Sequence, residues 1–396
     1  MALPESVTPA LARGSLRAIA DGVPPHNQIT RWLTVGQGAI LARLETDIEK
    51  VAAGGFESLL LLGNPGAGKS HLLTSLLYET TEAGFVTAFF SHDAQSRISF
   101  NRPDQIYRRI IETMRLPDAD LVGVGALESL LNRWVDTVIP TLTGSNRSIG
   151  IAFKLGEANV LPAAQTIHPR TRAAIVGYLM AVEQSRDAER AVFLDVLGGP
   201  GTSSTDLVRA ATRVGLDLRW IGYTPTPYDT KYYFGKLGLL ITILRTIGYK
   251  GMVILFDEVT AIVELRSRSR DVAYRVMDSL LFNDFNYSGL YTVFAYLPAF
   301  VNQLRADRHI RGADLLRRWN ALWDKRMEEV EPLNDLALVE LGHRLALLHS
   351  RARSWRAWDN VEGETRRWAR QCSDEQKSTR EFVRGLLDRM DDAYAH

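Results

Sequence analysis

The sequence predicts an α/β protein in three layers, with a parallel sheet between helices, a helical insertion and a C-terminal group of helices. Three observations support this prediction. Four short apolar segments with strand character are separated by stretches of helical periodicity, which is typical of a parallel sheet. A glycine-rich turn joins the first segment to a helix, and an Asp-Glu pair follows the third. The four strand segments are 59–62, 85–90, 251–256 and 289–296.

The turn after the first strand segment fits the phosphate-binding pattern G-x-x-x-x-G-K-[ST] of a P-loop, from Gly63 to Ser70. Its glycines let successive N–H groups point at an anion, which would lie at the N-terminus of the next helix. Lys69 would reach the β- and γ-phosphates, and the Ser70 hydroxyl would ligate Mg²⁺. The predicted contacts to ATP are Gly63, Asn64, Pro65, Gly66, Ala67, Gly68, Lys69, Ser70 and His71.

The third strand segment ends in Asp257 and Glu258, the pattern of a Walker B strand. Asp257 would hold Mg²⁺ directly or through water, and Glu258 would orient and deprotonate the attacking water. Apolar segments that end in Asp-Glu are common, and the alternative is a buried strand that meets a polar loop. The P-loop in the same chain favours the catalytic interpretation, and the Asp-Glu pair on a separate strand suits hydrolysis better than a kinase reaction.

Composition narrows the class of protein. Of 396 residues, 46% are hydrophobic and 23% charged, which is typical of a globular protein. The net charge of +1 provides no overall field for nucleic acid. The single cysteine, Cys372, excludes an internal disulfide and fits a reducing compartment. We see neither a signal-peptide pattern nor an apolar run of membrane-spanning length, so we expect a cytoplasmic protein without a membrane partner.

Three domains are predicted along the chain. Residues 1–50 form a helical lead-in that packs either near the adenine or simply on the core. Residues 51–330 form the P-loop core, with a helical insertion at about residues 100–228, since a connection of this length cannot be a bare loop. Residues 331–396 form the C-terminal helices. Within the insertion, the predicted helices are 103–115, 127–138, 170–184 and 205–214.

Other polar residues have alternative interpretations. His92 and Asp93 follow the second strand segment, where a loop at the ligand-facing edge is favoured over a catalytic pair. Thr292 and Tyr296 are candidates for a residue on the fourth strand that senses the γ-phosphate. Arginine and tryptophan alternate in residues 351–370. They could bind nucleic acid by phosphate contacts and stacking, but mixed acidic residues favour a solvated helix with its tryptophans turned inward.

Segments around these motifs resemble the ATP-binding proteins of bacteriophage-exclusion (BREX) systems, the BrxD-like group. The resemblance covers most of the chain and is thin in residues 140–230. It implies an AAA+-like ATPase of the ASCE class with a helical lid, acting beside other defence proteins on DNA. The segments that carry it are 12–24, the P-loop, 233–237, 248–258, 289–300, 332–333, 336–349 and 379–384.

The resemblance also implies two arginines in the active site. Arg326 matches an arginine that precedes the last core strand, here 329–332, and reaches the γ-phosphate of a neighbouring subunit in a homo-oligomer; Lys325 is the alternative. Arg380 matches a second sensor that opens a helix of the lid.

Two functions remain open. The first is an Mg²⁺-dependent ATPase that drives or gates a DNA-associated defence assembly. The second is an ATP-binding switch or scaffold with little turnover that recruits partner proteins. The presence of Glu258 favours turnover.

Overall fold

A computed structural model provides the structure of the protein. It describes residues 2–25, 27–90, 99–142, 167–199, 202–257, 259–307, 325–355, 358–375 and 377–395. The predicted base Glu258 and the His92–Asp93 pair lie outside the described residues. Among the helices that are described, none is both long and apolar enough to cross a membrane.

Five strands form one parallel sheet in the order β2-β3-β4-β1-β5. The predicted parallel sheet is therefore confirmed. The fifth strand begins two residues before the expected 329–332 segment and ends at Glu329. The strands are β1 (Phe56–Leu62), β2 (Val86–Phe90), β3 (Met252–Phe256), β4 (Leu290–Tyr296) and β5 (Met327–Glu329).

Helices occupy most of the remaining described chain, with short 3₁₀ helices at Leu218–Trp220 and Val259–Ile262. Before β2 they are α1 (Pro9–Ala20), α2 (Asn27–Leu33), α3 (Gly38–Ala52) and α4 (Lys69–Glu82). Between β2 and β3 they are α5 (Pro103–Thr113), α6 (Val124–Leu142), α7 (Pro169–Glu183), α8 (Asp187–Gly198), α9 (Ser204–Val214) and α10 (Thr230–Thr246). After β3 they are α11 (Ser267–Leu281), α12 (Pro298–Ala306), α13 (Asp335–Arg353), α14 (Val361–Asp374) and α15 (Thr379–Ala395).

The sheet separates two hydrophobic clusters, because side chains alternate between its faces. On one face, Leu59, Leu61 and Val293 pack with helices α3 and α4. On the other face, alternate strand residues pack with the helices between β2 and β3 and with α11 and α12. On this second face, phenylalanines at register positions of β2, β3 and β4 stack, with ring centres 4.5 Å and 4.3 Å apart. The three stacked residues are Phe90, Phe256 and Phe294.

The two ends of the chain share a third hydrophobic cluster. Helices α1 and α2 pack against α13, α14 and α15, and Trp32, Leu345 and Leu386 are buried between them. We call these five helices the cap. Helix α3 does not belong to it, since it packs on the sheet. The predicted lead-in of residues 1–50 thus contains two kinds of helix, one in the cap and one on the core.

Candidate functional site

The carboxyl ends of the parallel strands meet at one edge of the sheet. β1 ends at Leu62 beside Tyr296, and the Gly63 N–H donates to the Tyr296 carbonyl at 3.3 Å. Asp257 follows β3 at the same edge, where its N–H donates to the Phe90 carbonyl at 2.9 Å. Only β4 separates β3 from β1, so Asp257 lies roughly 10 Å, two strand spacings, from the strand that begins the P-loop.

The P-loop backbone requires glycine at two positions. Gly66 and Gly68 have φ values of +78° and +104°, in the left-handed region that disfavours other residues. A Cβ on Gly66 would also lie 3.0 Å from the side chain of Ser378, whereas a Cβ on Gly68 would meet nothing within 4 Å. Gly66 is therefore required both for the turn and for the approach of the cap, and Gly68 for the turn alone.

Lys69 begins helix α4 and is buried inside the loop, with 6% of its surface exposed. Its Nζ donates to the carbonyls of Gly63 and Asn64 at 2.8 and 2.9 Å. A cation held next to the N-terminus of a helix creates a favourable environment for an anion.

A cavity of about 210 Å³ lies between the P-loop and the cap. Of the nine predicted ATP contacts, the seven from Pro65 to His71 line this cavity. Gly63 and Asn64 are not part of its lining, but their carbonyls hold Lys69. The far wall is apolar and comes from the cap helices and from the residues that flank these helices in the sequence. Its apolar residues are Ile19, Val23, Leu33, Val35, Leu333, Leu341, Leu345 and Val383.

Arg380 also lines the cavity, from the first turn of α15. The N-terminus of this helix abuts the P-loop, because a Cβ on Gly66 would lie 3.5 Å from the Cβ of Arg380. Ser378 and Glu381 form a reciprocal cap there: the Ser378 N–H donates to the Glu381 carboxylate at 2.7 Å, and the Glu381 N–H donates to Ser378 Oγ at 3.3 Å. The chain thus brings an arginine of its own to the P-loop.

Arg326 lies immediately before β5. Its side chain contacts residues near the amino ends of the strands, opposite the edge that carries the P-loop. Its Nη1 donates to Ser58 Oγ at 2.7 Å and to the Leu281 carbonyl at 3.2 Å. Its guanidinium is 5.8 Å from the centre of the Phe56 ring. The structure does not bring Arg326 to the chain's own cavity, so any role of this residue in catalysis requires a second subunit.

The two candidates on β4 differ in their surroundings. The Thr292 hydroxyl is buried and donates to the Leu280 carbonyl at 3.1 Å, which commits it to the core. The Tyr296 hydroxyl is buried at the end of the strand and has no hydrogen-bond partner within the part of the chain that the structure describes. Burial raises the pKa of Tyr296. Tyr296 therefore remains the candidate for sensing a bound phosphate.

His71, directly after Ser70, connects the P-loop helix to the end of α2. Its Nε2 lies 2.9 Å from Thr34 Oγ1, and burial lowers the pKa of His71 to about 4. The ring is therefore neutral near neutral pH. Thr34 also lines the cavity, as does Gln37. Helix α2 lies within the helical lead-in predicted for residues 1–50, and its Ile29, Trp32 and Leu33 have helical spacing.

The oxygen donors at this edge suit Mg²⁺. Within the described ranges, no cluster of three or more His, Cys, Asp or Glu side chains is arranged to hold a metal ion. Mg²⁺ in nucleotide sites usually takes one or two protein oxygens, with phosphate oxygens and waters as its other ligands. The hydroxyl of Ser70 and the carboxylate of Asp257 fit that requirement.

Within residues 351–370, helix α14 has a solvated face and an inward face. Trp368 is buried and donates from Nε1 to the Phe382 carbonyl at 2.9 Å. Arg366 pairs with Glu362 at 2.6 Å, and Arg367 pairs with Glu364 at 3.1 Å. These pairs neutralise part of the charge that would attract nucleic acid.

Comparison with known families gives a match over nearly the whole chain. Residues 7–396 match the family model described as BREX system ATP-binding protein BrxC/D. The match spans the cap, the sheet and the P-loop, and it confirms the resemblance seen in the sequence. No curated protein matches the chain.

Proposed function

We propose that this chain, which belongs to the BREX system ATP-binding protein BrxC/D family, is an Mg²⁺-dependent ATPase that drives or gates a DNA-associated anti-phage assembly. One observation carries the proposal. The cavity between P-loop and cap is lined by Lys69, Ser70 and Arg380, with Asp257 at the same sheet edge. A phosphate-binding loop, an arginine and a carboxylate are the groups that phosphoryl transfer uses.

The sheet order supports an AAA+-like core of the ASCE class. β4 lies between the P-loop strand and the strand that ends at Asp257, as expected for ATPases with an additional central strand. β5 then flanks β1 on its other side. This layout places one strand between the strand of the phosphate-binding loop and the strand that precedes Asp257, and in our proposal the γ-phosphate and a water molecule bind between the loop and Asp257.

Different residues of the chain carry out phosphate binding, metal binding and proton transfer. Lys69 and the N–H groups at the start of α4 bind the phosphates, and Ser70 and Asp257 hold the metal. Mg²⁺, when bound there, neutralises charge on the β- and γ-phosphate oxygens. Glu258 accepts a proton from water as it attacks in line with the leaving oxygen. The apolar wall of the cavity covers the adenine ring of ATP and excludes bulk water.

Two arginines complete the charge stabilisation in this proposal. Arg380 acts from the chain's own cap, where it already lines the cavity. Arg326 acts across the interface of a homo-oligomer, since its own chain keeps it at the other sheet edge. An arginine supplied to a transferring phosphoryl group can raise the rate by roughly 10³- to 10⁵-fold.

ATP turnover by the purified protein, measured with and without DNA, tests this function. We expect Glu258→Gln to keep ATP binding and to reduce turnover by roughly 10²-fold or more, because the amide cannot accept the proton. Wild-type protein that binds ATP but hydrolyses none, with or without DNA, would instead support the switch or scaffold function.

Mixing two inactive variants tests the role of Arg326 in the same assay. Arg326→Ala and Glu258→Gln proteins should recover part of the activity when combined, because some interfaces would pair an intact glutamate with an intact arginine. Mixed oligomers that form and stay inactive would exclude Arg326 from the active site.

A further inference from the structure

A buried arginine of the cap contacts the end of α2. Arg344 on α13 is 9% exposed, and its Nη1 donates to the carbonyls of Trp32 and Thr34. Its Nη2 donates to the Glu340 carboxylate, and the guanidinium lies 5.9 Å from the Trp32 ring centre. The last carbonyls of a helix have no partner within the helix. Arg344 therefore caps α2 from a position 310 residues away in the sequence.

Thr34 extends this contact to the P-loop helix. Its Oγ1 lies 3.0 Å from the Thr30 carbonyl and 2.9 Å from His71 Nε2. Because a carbonyl can only accept, the threonine hydroxyl donates to Thr30, and the same oxygen contacts His71 Nε2. His71 is the third residue of α4 and follows Ser70. The contacts thus run from Arg344 through Thr34 to the residue after the predicted Mg²⁺ ligand.

This chain of contacts lies directly behind the cavity wall. Leu341 and Leu345, on the same helix as Arg344, line the cavity, whereas Arg344 itself does not. Thr34, directly after α2, and His71 on α4 also line it. Because a buried guanidinium that loses its acceptors is costly, Arg344 holds the end of α2 at a defined distance from α13.

We propose that Arg344 is a positioning residue that sets the width of the nucleotide pocket and raises nucleotide affinity without touching the nucleotide. The inference rests on the proposed function, since it concerns the same cavity. The end of α2 is held between α13 and α4, so two walls of the pocket are ordered before the nucleotide arrives. Order that exists before binding lowers the entropic cost of binding.

Titration of the full-length protein with ATP by calorimetry tests this role. We expect Arg344→Met and Thr34→Val each to weaken ATP binding about tenfold, the size of a typical coupling between sites. The double variant should lose little more than either single variant, because both changes break one chain of contacts. Arg351→Met is the matched control: Arg351 is exposed on the same helix, and its loss should leave the affinity unchanged.

Two further measurements distinguish positioning from a general loss of stability. Arg344→Lys should recover part of the affinity, because it keeps a charged donor for the α2 carbonyls. Without nucleotide, hydrogen exchange of residues 27–37 should be faster in Arg344→Met than in the wild type. If Arg344→Met does not fold, Thr34→Val and Arg344→Lys provide the same comparison.

The outcomes separate this inference from the function on which it rests. Wild-type protein that binds no ATP would overturn the proposed function and the inference together. Wild-type protein that binds ATP, with folded Arg344→Met or Thr34→Val binding it equally well, would overturn the inference alone. Additive losses of affinity in the double variant would also overturn the inference, because they would show that Arg344 and Thr34 act separately.

Discussion

Lys69 and Lys236 are the two buried lysines among the residues that the structure describes, and they make similar hydrogen bonds. Lys69 donates to the carbonyls of Gly63 and Asn64 at 2.8 and 2.9 Å. Lys236, on α10, donates to the carbonyls of Val196 and Gly199, both at 3.1 Å. The hydrogen bonds of the ammonium group therefore do not distinguish a phosphate-binding lysine from a structural one.

Their surroundings do distinguish them. Lys69 begins a helix and lines an open cavity, whereas Lys236 sits at the C-terminal end of α8 among three tyrosine rings. Burial, followed by the charge of Arg170, lowers the pKa of Lys236 to about 7. A helix N-terminus attracts an anion, and a helix C-terminus attracts a cation, so only Lys69 has a position in which phosphate adds favourable charge. The rings are Tyr107 at 4.3 Å, Tyr232 at 4.8 Å and Tyr233 at 5.2 Å.

The same substitution should weaken ATP binding strongly at Lys69 and hardly at all at Lys236. Lys69→Met should weaken binding by about 100-fold or more, because the charge aimed at the phosphates is lost. Lys236→Met should leave the affinity within about twofold, since Lys236 lies on α10 and does not line the cavity. Calorimetric titration measures both affinities, and circular dichroism checks the fold. Equal losses of affinity in the two variants would contradict the conclusion that only Lys69 is placed to bind phosphate.

Lys236 should also make stability depend on pH. Between its folded pKa of about 7 and its ordinary value of 10.5, the unfolded chain binds the proton more readily than the folded chain. The free energy of unfolding should therefore fall as pH falls through this window, by up to about 1.4 kcal/mol per pH unit. Burial raises the pKa of Tyr107, Tyr232 and Tyr233, so these rings stay neutral there.

Urea unfolding at several pH values within this window measures the effect. Lys236→Met should flatten the dependence on pH, whereas Lys231→Met, an exposed lysine on the same helix, should keep it. Parallel curves for the wild type and Lys236→Met would show that Lys236 does not change its protonation between the two states.

The smallest expected effect concerns Tyr107, one of the three tyrosines around Lys236. Tyr107 donates from its hydroxyl to the Leu197 carbonyl at 2.7 Å, and its ring faces Lys236. Tyr107→Phe keeps the ring and removes the hydrogen bond, so the free energy of unfolding should fall by about 1 kcal/mol. Tyr228→Phe, at an exposed tyrosine, is the control. A change in ATP affinity in Tyr107→Phe would show that the surroundings of Lys236 are coupled to the nucleotide site, which contradicts the distinction between the two lysines.

Much of the site was predictable because its parts are consecutive in the chain. The P-loop needs glycine at fixed positions of one turn, and Gly66 and Gly68 adopt the left-handed backbone conformation that favours glycine. Asp257 reaches the same edge because parallel strands share an edge, which follows from strand pattern alone. The bounds of α2 within the helical lead-in and the start of β5 could not be predicted, since a helix of seven residues and a strand of three give few positions from which to read a boundary.

The location of Arg326 could not be predicted from the sequence. Its side chain is held by Ser58 and Leu281, which are far away in the chain, so its partners depend on how β1, β5 and α11 assemble. Glu328 and Glu329 follow Arg326 closely in the sequence and are acidic residues that could pair with it. In the structure, Glu328 lies 3.5 Å from Arg43 instead.

The sequence by itself determined the P-loop, the strand that leads into it, the strand that ends at Asp257 and the helices between them. Each depends on backbone conformation or side-chain period within one segment, and these are local properties. Only the tertiary structure decided that the two ends of the chain form one cap, and that Arg380 and Arg344 of this cap meet the P-loop and α2. Apolar burial is not directional, so the apolar stripe of a helix specifies that it will be covered without specifying which segment covers it.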